Sequence, residues 1–118
     1  MQLEREIKGV KIGFRFGGSA SVKFFNALEK FPDDLMINNT ISNDGIAKLL
    51  QYTYENWCAL NDKSVEYGGA FFADYVEGIS DEVDELDFVK KVLDTWNESS
   101  TIKSLAKVGE KKSEAATT

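Results

Sequence analysis

The sequence predicts an α+β fold, mainly α, in which an N-terminal β-hairpin is followed by a bundle of about four helices. Two observations carry this. Residues 1–16 alternate apolar and polar side chains on either side of Lys8-Gly9, the period of half-buried strands. From residue 19 to residue 98 apolar residues instead recur three and four apart, interrupted at Pro32, at Asn61-Asp62-Lys63 and at Gly68-Gly69. The expected organisation is one globular domain over 1–98, with the hairpin at 1–16 and the helical part at 19–98, and a flexible tail over 99–118.

In the hairpin, Leu3, Arg5 and Ile7 alternate with Glu4, Glu6 and Lys8, and Val10, Ile12, Phe14 and Phe16 alternate with Lys11, Gly13 and Arg15. A two-residue turn at Lys8-Gly9 sets Ile7 opposite Val10 and Leu3 opposite Phe14, with glycine supplying positive φ. Gly17-Gly18 then makes a joint into a first helix. Ser19 or Ser21 is its cap, Phe24, Ala27, Leu28 and Phe31 are its stripe, and Pro32 ends it. Residues 33–41 have no period and read as a loop or irregular turn.

The second helix carries the clearest signal. Ser42, Asn43 or Asp44 caps it, and Ile46, Leu49, Leu50, Thr53, Trp57 and Leu60 form the buried stripe. A shorter helix follows Gly68-Gly69, with Phe72, Val76 and Ile79 on one face. Ser80 caps the last helix, whose first turn holds Asp81, Glu82, Asp84 and Glu85 at the positive end of the dipole. Leu86, Val89, Leu93 and Trp96 line its expected apolar side. Ile102, Leu105 and Val108 continue a weak periodicity, and beyond Gly109 no apolar residue exceeds alanine in size.

Charge and composition bound the function. The net charge of −6 is divided as +3 over residues 1–32, −11 over 33–98 and +2 over 99–118, which argues against binding to a nucleic-acid backbone. The single cysteine, Cys58, forms no internal disulfide and points to a reducing compartment, and no apolar run reaches membrane-spanning length. A soluble cytoplasmic protein is expected.

The chain has no histidine, which removes the usual general base and the common nucleophilic triads. Cys58, beside Trp57 on the clearest helix, reads as a small buried hydrophobe. Gly17-Gly18-Ser19 lacks the Lys-Ser/Thr ending of a phosphate-binding loop and the third glycine of the dinucleotide fingerprint. The acidic cluster from Asp74 to Asp87 lacks calcium-loop spacing and reads as capping and a solvated face. No enzyme, no metal and no cofactor are expected. Phe25, Phe71 and Phe88 lie off the main helix stripes. They are either a second layer of core or, if exposed together, a partner-binding surface.

The order of a hairpin containing Ile7-Lys8-Gly9-Val10-Lys11-Ile12-Gly13-Phe14-Arg15-Phe16, a small-residue joint, a helix over Ser21–Phe31 and the stretch Ile46-Ala47-Lys48-Leu49-Leu50-Gln51-Tyr52 resembles the tail assembly chaperones of long-tailed bacteriophages. Phe72-Ala73-Asp74-Tyr75-Val76 and Phe88-Val89-Lys90-Lys91-Val92-Leu93 are similar to the last two helices of that family. The resemblance spans about residues 7–97 and rests on pattern. It implies a non-enzymatic protein that binds a long helical tape-measure protein, and tail-tube subunits with it, in the host cytoplasm, and is absent from the finished particle. It also implies a longer product made by frameshifting near Glu110-Lys111-Lys112. Two other readings stay open: a structural or adaptor component that remains in a phage particle, and an acidic inhibitor that mimics nucleic acid. A homo-oligomer is compatible with each.

Overall fold

The computed structural model describes residues 2–37, 40–79 and 82–98. The chain opens with β1 (Gln2–Ile7) paired antiparallel to β2 (Val10–Arg15), with Leu3 opposite Phe14 and Ile7 opposite Val10, as the alternation predicts. Both turn residues have positive φ, 52° at Lys8 and 79° at Gly9, the backbone that matches the twist of a two-residue hairpin. One face of the ribbon, with Ile7, Ile12 and Phe14, is buried in the core. On the other face Gly13 lies under the indole of Trp57, where an added Cβ would stand 2.1 Å from Trp57 Cε2. Glycine is what lets the helix carrying Trp57 close on the strand.

The joint after β2 needs glycine for a different reason. Gly17 and Gly18 have φ of 90° and 54°, so the chain turns into α1 (Ser19–Lys30) through the left-handed region. The N-cap is Gly18, not Ser19 or Ser21. Ser19 Oγ instead donates to Asn56 Oδ1 (3.1 Å), while Asn56 Nδ2 donates to the carbonyls of Arg15 (3.1 Å) and Gly17 (3.3 Å). One amide side chain thus fixes the path from strand to helix. Phe24 is buried as the stripe predicts, but Phe31 lies just beyond the helix and is 54% exposed.

Residues 33–37 and 40–41 are more regular than an aperiodic stretch predicts. Pro32 starts a single helical turn, α2 (Pro32–Leu35), and β3 (Met36–Ile37) pairs with β4 (Thr40–Ile41). Proline at the first position sacrifices no hydrogen bond, and Asp33 and Asp34 sit at the positive end of the turn. The piece is held by Ser42, whose Oγ donates to Asp34 O (2.6 Å) and accepts from Gly45 N (3.0 Å), and whose N–H donates to Leu35 O (2.9 Å).

Ser42 therefore caps α3 (Asn43–Leu60), the central helix, which packs against β2, α1, α2 and α4. Because it has neighbours on several sides, its buried set is wider than one stripe: Ala47, Tyr54, Asn56 and Cys58 join Leu49, Leu50, Thr53 and Trp57. Buried Thr53 satisfies its hydroxyl on the Leu49 carbonyl (2.8 Å). Leu60, expected in the stripe, is exposed at the helix end. Residues 61–68 return to α4 (Gly69–Gly78), tied by a bond from Glu66 N to Tyr54 Oη (3.0 Å). Phe72, Val76 and Ile79 are buried as expected, together with Tyr75.

The last helix, α5 (Val83–Glu98), is rotated from the expected phase. Phe88, Val89, Val92 and Trp96 face the core, and Leu86 is exposed. The expected Ser80 cap and the 99–118 tail lie outside the described residues.

A polar clamp explains part of this rotation. Arg5 Nη2 donates to Glu85 Oε1 (2.8 Å), the Tyr75 hydroxyl donates to Glu85 Oε2, and the Arg5 guanidinium lies 5.5 Å from the centroid of Phe88. β1, α4 and α5 meet there. The hydrogen bond from Arg5 holds the Glu85 carboxyl below its ordinary value of 4.5, whereas burial, reinforced by Glu85, pushes the Tyr75 hydroxyl above its ordinary 10.0. A carboxyl depressed in the folded state stabilises above its unfolded pKa and loses that contribution as pH falls through the folded one. A phenol raised in the folded state stabilises below its unfolded pKa and loses that contribution as pH rises past it. Glu85→Gln is expected to cost about 2 kcal/mol at pH 7, because a partly buried guanidinium loses its charged acceptor. Thermal melts should show the gap between variant and wild type closing below about pH 4. A gap that persists unchanged at pH 3 would mean that the charge of Glu85 is not what the fold uses.

Candidate functional site

The three off-stripe aromatic residues do not form one surface. Phe25 is 37% exposed on α1, its ring 6.0 Å from that of Trp96. Half-buried Phe71 stacks against Tyr67 at 4.5 Å, meets Phe72 edge-on at 5.2 Å and lies 5.1 Å from the Lys8 ammonium. Phe88 is buried against Phe14 at 5.7 Å. Phe88 is thus core, and the expectation that it belongs to a partner surface is corrected: the phase of α5 is set by Phe14 and Arg5, which a helical period read alone does not contain. Phe71 mainly closes an aromatic row through Tyr67, Tyr54 and Phe72 to Phe14. Only Phe25 keeps a substantially open face.

A concave feature lined by small residues lies elsewhere. A groove of about 360 Å³ runs between the end of α1, α2, the first half of α3 and the start of α4. Leu35 and Ala47 form its buried floor, Ala70 and Ala73 form the α4 wall, and the exposed ring of Phe31 stands at its rim. The groove exists because small residues face each other across α3 and α4 where larger side chains would fill the gap. Phe31 is free to border it because Pro32 redirects the chain before the ring can turn inward.

Electrostatically the groove has two different ends. Asp34 and Asp44, both exposed in first turns of helices, form an acidic mouth. Lys48 and Gln51 line the inner end beside Gly69, where an added Cβ would stand 3.0 Å from Gln51 Oε1. That oxygen is buried and accepts no hydrogen bond among the described residues. The lining offers carboxylates, one ammonium and one amide, but no thiol or hydroxyl nucleophile. The arrangement suits capture of an apolar side chain with basic neighbours.

Several lining residues stand in segments that sequence patterning singles out for other reasons, Phe31 in the stripe of the first helix, Asp44 as a candidate cap and Gly69 as a break, but none is marked as part of a groove. The available signal was small residues at matching positions, Ala47 on α3 and Gly69, Ala70 and Ala73 on α4. The Cys58 thiol is 1% exposed behind Trp57 and Tyr54, in keeping with a packed hydrophobe. Among the described residues no three His, Cys, Asp or Glu side chains converge as metal ligands would, and no helix is long and apolar enough to cross a membrane. No protein-family model, curated protein or solved structure matches the chain.

Proposed function

We propose that the chain is a non-enzymatic binding domain that receives an apolar helical segment of a partner protein in the groove between α2, α3 and α4, and that it serves as a phage tail assembly chaperone for a tape-measure-type protein. The observation that carries this reading is the groove itself, an open apolar channel with an aromatic rim and an acidic mouth. Helix-in-groove recognition needs such a channel, with large side chains of the helix as anchors. A long assembly protein exposes apolar stripe until its final neighbours cover it. A small acidic domain bound to that stripe keeps the complex soluble through its negative charge.

The test is recovery of partners from the native expression context, followed by groove variants. Ala70→Trp fills the groove from an exposed alanine and should weaken partner binding by tenfold or more, with the melting temperature unchanged. A long helical partner that binds wild type and not this variant supports the reading. Recovery of a nuclease or polymerase displaced by DNA would replace it with the nucleic-acid mimic. Mass spectrometry of purified particles separates a chaperone, which is absent from them, from a component that remains.

A further inference from the structure

We propose that the outer edge of β1 is a strand-addition site for an extended segment of a partner protein with lysine or arginine at alternate positions. The site shares no residue with the groove and does not depend on it. Its basis is a free backbone edge whose side chains select the charge of what can pair with it.

The hairpin turn fixes which backbone groups are free. With two turn residues, both at positive φ, Ile7 and Val10 form the first hydrogen-bonded pair, and alternation makes Arg5 with Ile12 and Leu3 with Phe14 the next two. Gln2, Glu4 and Glu6 therefore turn their N–H and C=O groups outward on the β1 side, as Lys11, Gly13 and Arg15 do on the β2 side. The β2 edge is covered by α3: Asn56 Nδ2 donates to Arg15 O (3.1 Å), and the Trp57 indole lies over Gly13. No hydrogen bond among the described residues reaches the outward groups of β1. An edge of this kind is a template for a further strand.

The side chains along the edge choose the occupant. Glu4 and Glu6 are exposed on the outer face of the ribbon. Antiparallel pairing with β1 of a second copy, centred on Glu4, would set Glu4 against Glu4, and a shift toward the turn would set Glu4 against Glu6. Like charges directly opposite destabilise a strand pair. An incoming strand with lysine or arginine opposite Glu4 and Glu6 makes two favourable cross-strand pairs instead. Lys11 already lies 3.2 Å from Glu4, but both side chains are exposed and such a pair contributes little.

The core-facing side of the edge has a matching feature. A cavity of about 350 Å³ opens between β1 and α5, with Leu3 and Phe88 as its apolar lining and Asp84, Asp87 and Lys91 as its charged one. Glu4 lines it too, although its side chain belongs to the outer face, so the cavity reaches the free edge. Arg5 is already committed to Glu85 at 2.8 Å, which leaves the carboxylates of Asp84 and Asp87 in excess over the Lys91 ammonium. Successive residues of an added strand point to opposite faces, so those between the basic positions project over this cavity. An aliphatic side chain there lies on Leu3, and the surrounding negative charge adds to the preference for a basic segment.

The experiment is amide hydrogen exchange on the full chain, with a short capped peptide that alternates lysine and valine. Alone, the protein should exchange its Glu4 and Glu6 amides about tenfold faster than those of Arg5 and Ile7, which are bonded to β2. With the peptide, Glu4 and Glu6 should slow about tenfold, and a peptide alternating glutamate and valine should not slow them. Glu4→Gln/Glu6→Gln should weaken binding of the lysine peptide about fivefold with the melting temperature unchanged. In an antiparallel addition the lysines opposite Glu4 and Glu6 donate to β1, so N-methyl groups on the lysines should abolish the protection and N-methyl groups on the valines should spare it. Protection that survives methylation of the lysines is charge attraction without strand pairing and overturns the proposal. So does a Kd weaker than about 1 mM for the lysine peptide. Slow exchange of Glu4 and Glu6 that appears on concentrating the protein alone also overturns it, because the occupant is then a second copy. Ala70→Trp should leave peptide binding intact, and its loss would move the peptide to the groove. The groove reading is tested by capture of a helical partner, so it stands or fails separately.

Discussion

Gly13→Ala is expected to destabilise the protein by about 3 kcal/mol, although it adds one methyl group to a residue whose backbone tolerates alanine. The reason is position. The new Cβ would lie 2.1 Å from Trp57 Cε2 and 2.3 Å from Nε1, well inside van der Waals contact. Trp57 cannot simply swing away, because its ring is bounded by Tyr54 at 6.5 Å and capped by the Lys63 ammonium at 4.7 Å. The strain must move the hairpin off α3 or tilt the helix. A double-mutant cycle isolates the cause: in a Trp57→Ala background, which itself loses stability, adding Gly13→Ala should cost less than about 0.5 kcal/mol in urea unfolding. An equal cost in both backgrounds would show that the indole is not what excludes the methyl.

Phe88→Ala should be the most damaging of the three off-stripe aromatic substitutions, at about 4 kcal/mol. The ring is 7% exposed, lies 5.7 Å from Phe14 and carries the Arg5 guanidinium 5.5 Å from its centroid. Removing it leaves a void beside fully buried Phe14 and takes the support from Arg5 at the point where Arg5 meets Glu85. Phe25→Ala, at a ring 37% exposed, should cost about 1 kcal/mol or less. Chemical denaturation of the two variants side by side checks this. Comparable losses would put Phe25 in the core as well and leave the α1 surface without an aromatic feature.

The contrast between those two phenylalanines marks what patterning reveals and what it does not. The hairpin register was legible because alternation and a glycine turn are local facts, and Leu3 opposite Phe14 follows from counting outward from Lys8-Gly9. The cap of α3 was legible for the same reason: Ser42 reaches Gly45 N within one turn. The phase of α5 was not, because Leu86 and Phe88 both suit a helical stripe and the choice is made by residues some seventy to eighty positions away, Phe14 and Arg5. The single turn Pro32–Leu35 and the two-residue strands after it are too short to have a period, and Ser42 holds them from outside their own segment. The groove was the least legible element. It is a space left by alanines and glycine, and a sequence displays side chains that are present more readily than gaps between them.

The link between Arg5 and Glu85 joins residues 80 positions apart. Closing so large a loop is entropically costly until the intervening helices have compacted the chain, so this contact belongs to the end of folding. During synthesis the hairpin precedes the helices that cover it: Phe14 has no Phe88 to meet until α5 has left the ribosome. Native structure is therefore completed after translation of α5, not element by element. A product that stops short of α5 keeps α3 and Phe72 against the hairpin but leaves the Phe88 side of Phe14 uncovered and Arg5 without Glu85, an apolar opening that makes it a candidate for degradation or aggregation.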